Sequence, residues 1–161
     1  MSQESAISPL LEELNPLCPA GYALALHITF TTPNFLFQTY SSDWTEHYTQ
    51  NGMVLFDPAV RWGFENTGAT TWGALADGDS HGVLKSAADF GLNFGTVIAI
   101  VEGDSRSIGG FARPDRNHTE EEVEKLASLL KKVHHHTITS KNLSHEDQAV
   151  LKRLSVSLTH G

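Results

Sequence analysis

Hydrophobic and polar positions follow two rhythms along the chain, one helical and one alternating, and the changes between them divide it into elements. Near the start, Leu10, Leu11 and Leu14 follow Ser8 and Pro9. Ser8 can cap a helix and Pro9 can occupy its first turn, so a short helix is predicted to end before Pro16. Residues 22–30, YALALHITF, form an apolar run, and Thr31-Thr32-Pro33-Asn34 turns it back into residues 35–40, FLFQTY. That is the pattern of a hairpin. A helix is predicted over Ser42 to Gln50, with Ser42 as its cap, Asp43 in its first turn and Gly52 closing it in a left-handed conformation.

Asp57-Pro58 opens a further helix to about Asn66, with Val60, Phe64 and Trp62 inward, and a glycine-rich turn leads to Trp72. Residues 77–93 begin with too much Gly and Asp to assign, although Val83 to Phe90 can hold a helix ending at Gly91. The β-branched run 95–101 turns at 103–106 into 107–112, a second hairpin. Gly109 and Gly110 inside it permit close approach by a neighbour, or a bulge. Thr119-Glu120-Glu121-Glu122 is a capping box, and Val123, Leu126, Ala127, Leu130 and Val133 continue it as an amphipathic helix. A second box at Ser144 predicts a last helix to about Leu154. Hairpins with helices between and after them argue for an antiparallel sheet with helices packed on it, an α+β fold.

At 161 residues and 40% hydrophobic content, one core is expected. Net charge is −8 and pI about 5.5, the wrong sign for a free-standing nucleic-acid binder. A single cysteine, Cys18, excludes an internal disulfide. With no export signal or 18-residue apolar run, the chain reads as soluble and cytoplasmic, with no membrane partner.

Candidate chemistry concentrates between Thr39 and Trp72. Tyr40, Trp44 and Tyr48 are spaced by four and would stack along one helical face, while Asp57 adds a carboxylate. Phenol, indole and carboxylate suit a small ligand that is mostly apolar but carries an amide or ester. Asp57 reads equally well as a helix cap. His27, in the first strand, reads as a hydrogen-bonded core or edge histidine. The run His134-His135-His136 invites a metal, but consecutive helical side chains diverge and cannot meet on one ion. No phosphate loop, zinc spacing or nucleophile elbow is present, and Asp57 with Glu65 makes a weak acid–base pair, so the chain reads as neither an enzyme nor a cofactor carrier.

The pattern Tyr40-Ser41-Ser42-Asp43-Trp44, then Tyr48, Asp57-Pro58, Val60 and Trp72 resembles the autoinducer-binding domain of LuxR-type quorum-sensing transcription regulators. Gly91, Gly95 and Gly109 add to the resemblance, which spans Leu10 to His136. It implies an α-β-α sandwich with a five-stranded antiparallel sheet, helices on both faces, and an N-acyl homoserine lactone between the sheet and one helical layer. By the same resemblance, the Trp44 indole donates to the lactone carbonyl, the Tyr40 hydroxyl donates to the amide carbonyl, and Asp57 accepts from the amide N–H. Tyr48, Trp72 and Val60 wall the pocket and Leu36 lines its acyl side. Met53 stands for a common tyrosine and Ala112 for a Ser or Thr, while Ala59, Ala69 and Ala99 also depart from the usual pattern. These changes imply a more apolar ligand, or different substitution at C3, without a strict need for a 3-oxo group.

Residues 1–138 are therefore expected to form the sensing domain, and 139–161 a linker and the first part of an incomplete helix-turn-helix. Leu143 to Leu151 resembles that module's first helix, and no recognition helix follows within the sequence. DNA contact is expected only through a complete module. The expected partners are a second copy or a full-length relative, with the helix from Thr119 near a dimer surface or simply covering the sheet. A short antiactivator forming inactive heterodimers, or a sensor of another apolar effector, are the alternatives.

Overall fold

The computed structural model describes residues 6–30 and 32–138. The helix expected from Ser144, and the division at residue 139, lie outside them. The elements in chain order are α1 (Ser8–Leu14), β1 (Gly21–Thr29), β2 (Thr32–Gln38), α2 (Ser42–Gln50), α3 (Pro58–Glu65), β3 (Gly68–Thr71), α4 (Val83–Asp89), β4 (Phe94–Glu102), β5 (Ser105–Arg113) and α5 (Glu120–His136). The strands form one antiparallel five-stranded sheet in the order β2-β1-β5-β4-β3.

Each strand alternates, so each face of the sheet carries its own core. Leu24, Leu26, Phe37, Ile98 and Phe111 point to one face and pack with Ile7, Leu11 and Leu14 around α1 and with Leu126, Leu129, Leu130 and Val133 of α5. The four α5 residues are nearly or wholly inaccessible, each worth about 1.5–3 kcal/mol of apolar burial. Val97 and Ala112 point to the other face, towards Trp44, Ala59, Trp72, Val83 and Ala87. Helices thus cover both faces, as the resemblance implied.

Local chemistry explains most helix ends. Thr119 forms the predicted box, its hydroxyl accepting from the Glu122 N–H while the Glu122 carboxylate accepts from the Thr119 N–H. Gly52 is left-handed at φ 59°, as expected. Asp79 opens α4 by accepting from the N–H groups of Val83, Leu84 and Lys85. Arg106, from β5, donates to the carbonyls of Gly63 and Asn66 and so ties the end of α3 to the sheet.

Four readings need correction. Ser41, with extended backbone, caps α2 by accepting from the Trp44 N–H; Ser42 is already helical. Ile7 rather than Ser8 holds the α1 cap position. Tyr40 precedes α2, so the three aromatics do not share a helical face. The four-residue β3, hidden in what reads as a glycine-rich turn, pairs Gly68 to Thr71 with Ala99 to Thr96, which places Ala99 in mid-strand.

A bulge in β1 sets which residues reach the site. Between the Ala25–Ile108 and Ile28–Arg106 pairs, β1 has two residues where β5 has one. His27 takes φ 54° there, and the parity of the strand shifts. Ile28 consequently joins Ala23 and Ala25 on the α2–α4 side, while His27 is buried beside His134.

Candidate functional site

Between the sheet and α2, α3 and α4 lies a cavity of about 350 Å³, within the range of small-molecule sites. Its floor is built from small or branched strand residues: Ala23, Ala25, Ile28, Val97, Ile108 and Gly110. Helix residues Trp44, Tyr48, Val60, Phe64, Val83, Leu84 and Ala87 form the roof, with Trp72 from the loop after β3. Leu36, Gln38 and Tyr40 close the β2 side. Thr49 and Val54 are exposed residues of the wall and mark its mouth.

Two glycines let the flanking aromatics lie against the sheet. A Cβ on Gly95 would stand 2.1 Å from Trp72 Cδ2, and one on Gly21 would stand 2.7 Å from Tyr40 Cδ1. Gly21, Ala112 and Gly95 are partners in one row across three strands. Ala112 therefore lies between the two covered glycines, wholly buried and away from the cavity wall.

The polar groups come from the α2 side. Trp44 is buried, its ring packed against Tyr48 at 5.5 Å and Phe90 at 5.4 Å between centroids. Its indole N–H has no partner among the described residues. The Tyr40 hydroxyl donates to the Gly110 carbonyl at 3.3 Å. Asp57 has both of the roles left open by its sequence position within reach: Oδ1 accepts from the Ala59 N–H at 2.9 Å as the α3 cap, and Oδ2 accepts from the Tyr48 hydroxyl at 2.9 Å. Burial pushes the Asp57 carboxyl above its ordinary range, opposed by the Tyr48 and backbone hydrogen bonds. Burial and the nearby Asp57 also raise the Tyr48 phenol, and burial raises that of Tyr40.

Of the residues singled out from sequence, Leu36, Tyr40, Trp44, Tyr48, Asp57, Val60 and Trp72 line this cavity. Ala112 and Met53 do not. Met53 sits in the 3₁₀ turn Met53–Leu55, half-buried against the neighbouring core, and its neighbour Val54 reaches the wall instead. Sequence reasoning missed Gln38, although strand alternation from Leu36 places it on the same face. Ile28 was hidden by the bulge, and Val83, Leu84 and Ala87 by the weak pattern around α4.

His27 lies on the α5 side of the sheet together with His134. His27 Nε2–H donates to the His134 carbonyl at 2.9 Å, and Nδ1 pairs with the Ser105 hydroxyl at 2.7 Å. Ser107 Oγ accepts from the His27 N–H and pairs with His134 Nδ1. His135 pairs with Glu102 at 2.8 Å, so the histidine run does diverge. Among the described residues, no three metal-ligating side chains gather, and no helix is long and apolar enough to cross a membrane.

Residues 23–138 match the model of the autoinducer-binding domain, and the chain belongs to that family, the sensing domain of LuxR-type quorum-sensing transcription regulators. It is 35% identical over 62 residues to the transcriptional activator protein SolR of Ralstonia nicotianae. That match spans 38% of this chain and 26% of SolR, about a quarter of the relative's length. Among solved structures, the N-acylhomoserine lactone-dependent LuxR family factor CepR2 of Burkholderia cenocepacia superposes with TM-score 0.58 at 18% identity, covering 81% of this chain and 79% of CepR2. SdiA of Escherichia coli gives TM-score 0.62 at 15% identity, covering 83% and 62% of the two chains. At these identities the likeness is one of fold.

Proposed function

We propose that this domain binds an N-acyl homoserine lactone and, in a full-length regulator, uses that binding to control dimerisation and DNA binding. One observation carries the reading: an indole N–H, a phenol and a carboxylate border a single cavity whose other walls are almost entirely apolar. Trp44 donates to the lactone carbonyl, Tyr40 exchanges its 3.3 Å bond to the Gly110 carbonyl for one to the amide carbonyl, and Asp57 accepts from the amide N–H. Tyr48, already bonded to Asp57, holds that carboxylate in place. An eight-carbon tail contributes about 0.8 kcal/mol per buried methylene, roughly 6 kcal/mol, and the polar contacts, about 1 kcal/mol each, select the head group.

A second reading, another apolar effector, draws support from a structural neighbour solved as SdiA in complex with octanoyl-rac-glycerol. Thermal unfolding against a panel of acyl homoserine lactones and octanoylglycerol separates the two. A ligand at 100 times its Kd adds about 2.7 kcal/mol. At about 2–4 °C per kcal/mol for a chain of this size, that is roughly 5–11 °C in Tm. Trp44→Phe and Asp57→Asn keep shape, and Asn can still cap α3, so both variants should fold yet lose much of the shift. A folded wild type whose Tm no lactone raises would refute the proposal.

A further inference from the structure

We propose that Gln38 reads an oxygen substituent on the acyl chain close to its amide, so that the preferred ligand is a 3-oxygenated rather than a plain acyl homoserine lactone. The inference rests on the head-group assignment above and deepens it.

Among the residues of β1, β2, β4 and β5 on the cavity wall, Gln38 alone has a polar side chain; the rest are Ala, Ile, Pro, Leu, Val and Gly. It is half-buried, and its amide has no hydrogen-bond partner among the described residues. By contrast, the Tyr40, Tyr48 and Asp57 side chains and the Thr45 hydroxyl are all engaged within the protein. A Gln amide covered by methylenes and left unpaired is penalised, whereas one facing a carbonyl or hydroxyl is satisfied. It therefore discriminates between chains.

The register says which part of the chain it meets. Gln38 pairs with Ala23, and Ala23 pairs with Gly110, so the three lie in one row across β2, β1 and β5. The Tyr40 hydroxyl sits over the far end of that row, at the Gly110 carbonyl. An acyl amide held at Tyr40 with its tail running towards Leu36 and Ile28 crosses the row within its first few carbons. C3 is the first position where an oxygen can be added without altering the carbonyl's neighbour. The reading from sequence against a strict need for a 3-oxo group drew on Met53, Ala112, Ala59, Ala69 and Ala99, and of these only Ala59 lines the cavity.

Isothermal titration with octanoyl, 3-oxooctanoyl and 3-hydroxyoctanoyl homoserine lactone tests this on wild type, Gln38→Leu and Gln38→Glu. Wild type should bind both oxygenated chains about tenfold more tightly than the plain one, the value of one good hydrogen bond. Gln38→Leu should bring all three within about threefold while retaining the plain chain. Gln38→Glu, an acceptor only, should keep the 3-hydroxy ligand and reject the 3-oxo one. Equal wild-type affinity for all three, or a preference that survives Gln38→Leu, overturns the role of Gln38 and leaves the head-group reading standing. If none of the three binds wild-type protein, the head-group reading falls, and this inference with it.

Discussion

Gly95→Ala adds one methyl group where Trp72 already lies. The new Cβ would stand 2.1 Å from Cδ2, 2.2 Å from Cε2 and 2.5 Å from Cε3, so three ring atoms must each retreat by about an ångström or more to reach ordinary contact at 3.4 Å. No positive φ is involved at Gly95, so the strain is steric alone. The Trp72 indole nitrogen is buried with no hydrogen-bond partner among the described residues, so packing alone holds the ring. Its retreat from the sheet carries it towards the roof of the cavity. Overpacking of this kind costs typically 1–3 kcal/mol, and taking about 2 kcal/mol, Tm should fall by roughly 4–8 °C. Adding Trp72→Leu to Gly95→Ala should give less than the sum of the single losses, because the smaller side chain leaves room for the methyl group. Differential scanning calorimetry of the four proteins measures the cycle. A Gly95→Ala Tm within 1 °C of wild type, or strict additivity in the double variant, would refute the steric argument and the placement of Trp72 as a wall.

Other expectations follow from buried groups. Burial lowers the pKa of His27, His134 and His118 below the ordinary 6.5. Their neutral forms are the ones bound in the fold, so stability should be level above about pH 7 and fall as pH drops below 6.5 towards the depressed values. Urea unfolding at intervals from pH 7.5 to 5 should show this, and His27→Asn, which tolerates the left-handed backbone, should flatten part of the slope. Below that window Glu122, held down to about 2 by Arg116 and its capping bond, should add a second, separate loss as it protonates. The Cys18 thiol is buried and pushed up to about 12, so it should resist a thiol reagent at pH 8 in the folded protein and react at once in denaturant.

Where a signal was local, the sequence could be read directly. The Thr119 box, Gly52 and the second hairpin need only neighbouring residues to act. Ser41 and Ser42 are chemically identical candidates, and only backbone geometry separates cap from first helical residue. Strand β3 carries too few residues for alternation to register and owes its pairing to β4. The wall contributed by Leu36, Tyr40, Trp44, Tyr48, Asp57, Val60 and Trp72 was legible through the family pattern. Met53 and Ala112 fall outside the wall because Met53 lies in a 3₁₀ turn whose next residue, Val54, reaches the cavity, and Ala112 lies in the sheet between Gly21 and Gly95. Ile28 depended on a bulge, a feature set by pairing with β5 and the histidine cluster behind it.

Because successive β1 residues serve opposite faces, Ala23 and Ala25 can enlarge without touching Leu24 and Leu26 behind them. The space open to the proposed ligand's tail is thus set by a surface that the α1–α5 core does not share. Substituting valine at either alanine would shorten the chain that fits, methylene by methylene, while the hydrophobic mass that keeps the protein folded stays as it is. Under the proposed function, the length of the signal accepted can thus change without renegotiating the stability of the α1–α5 core.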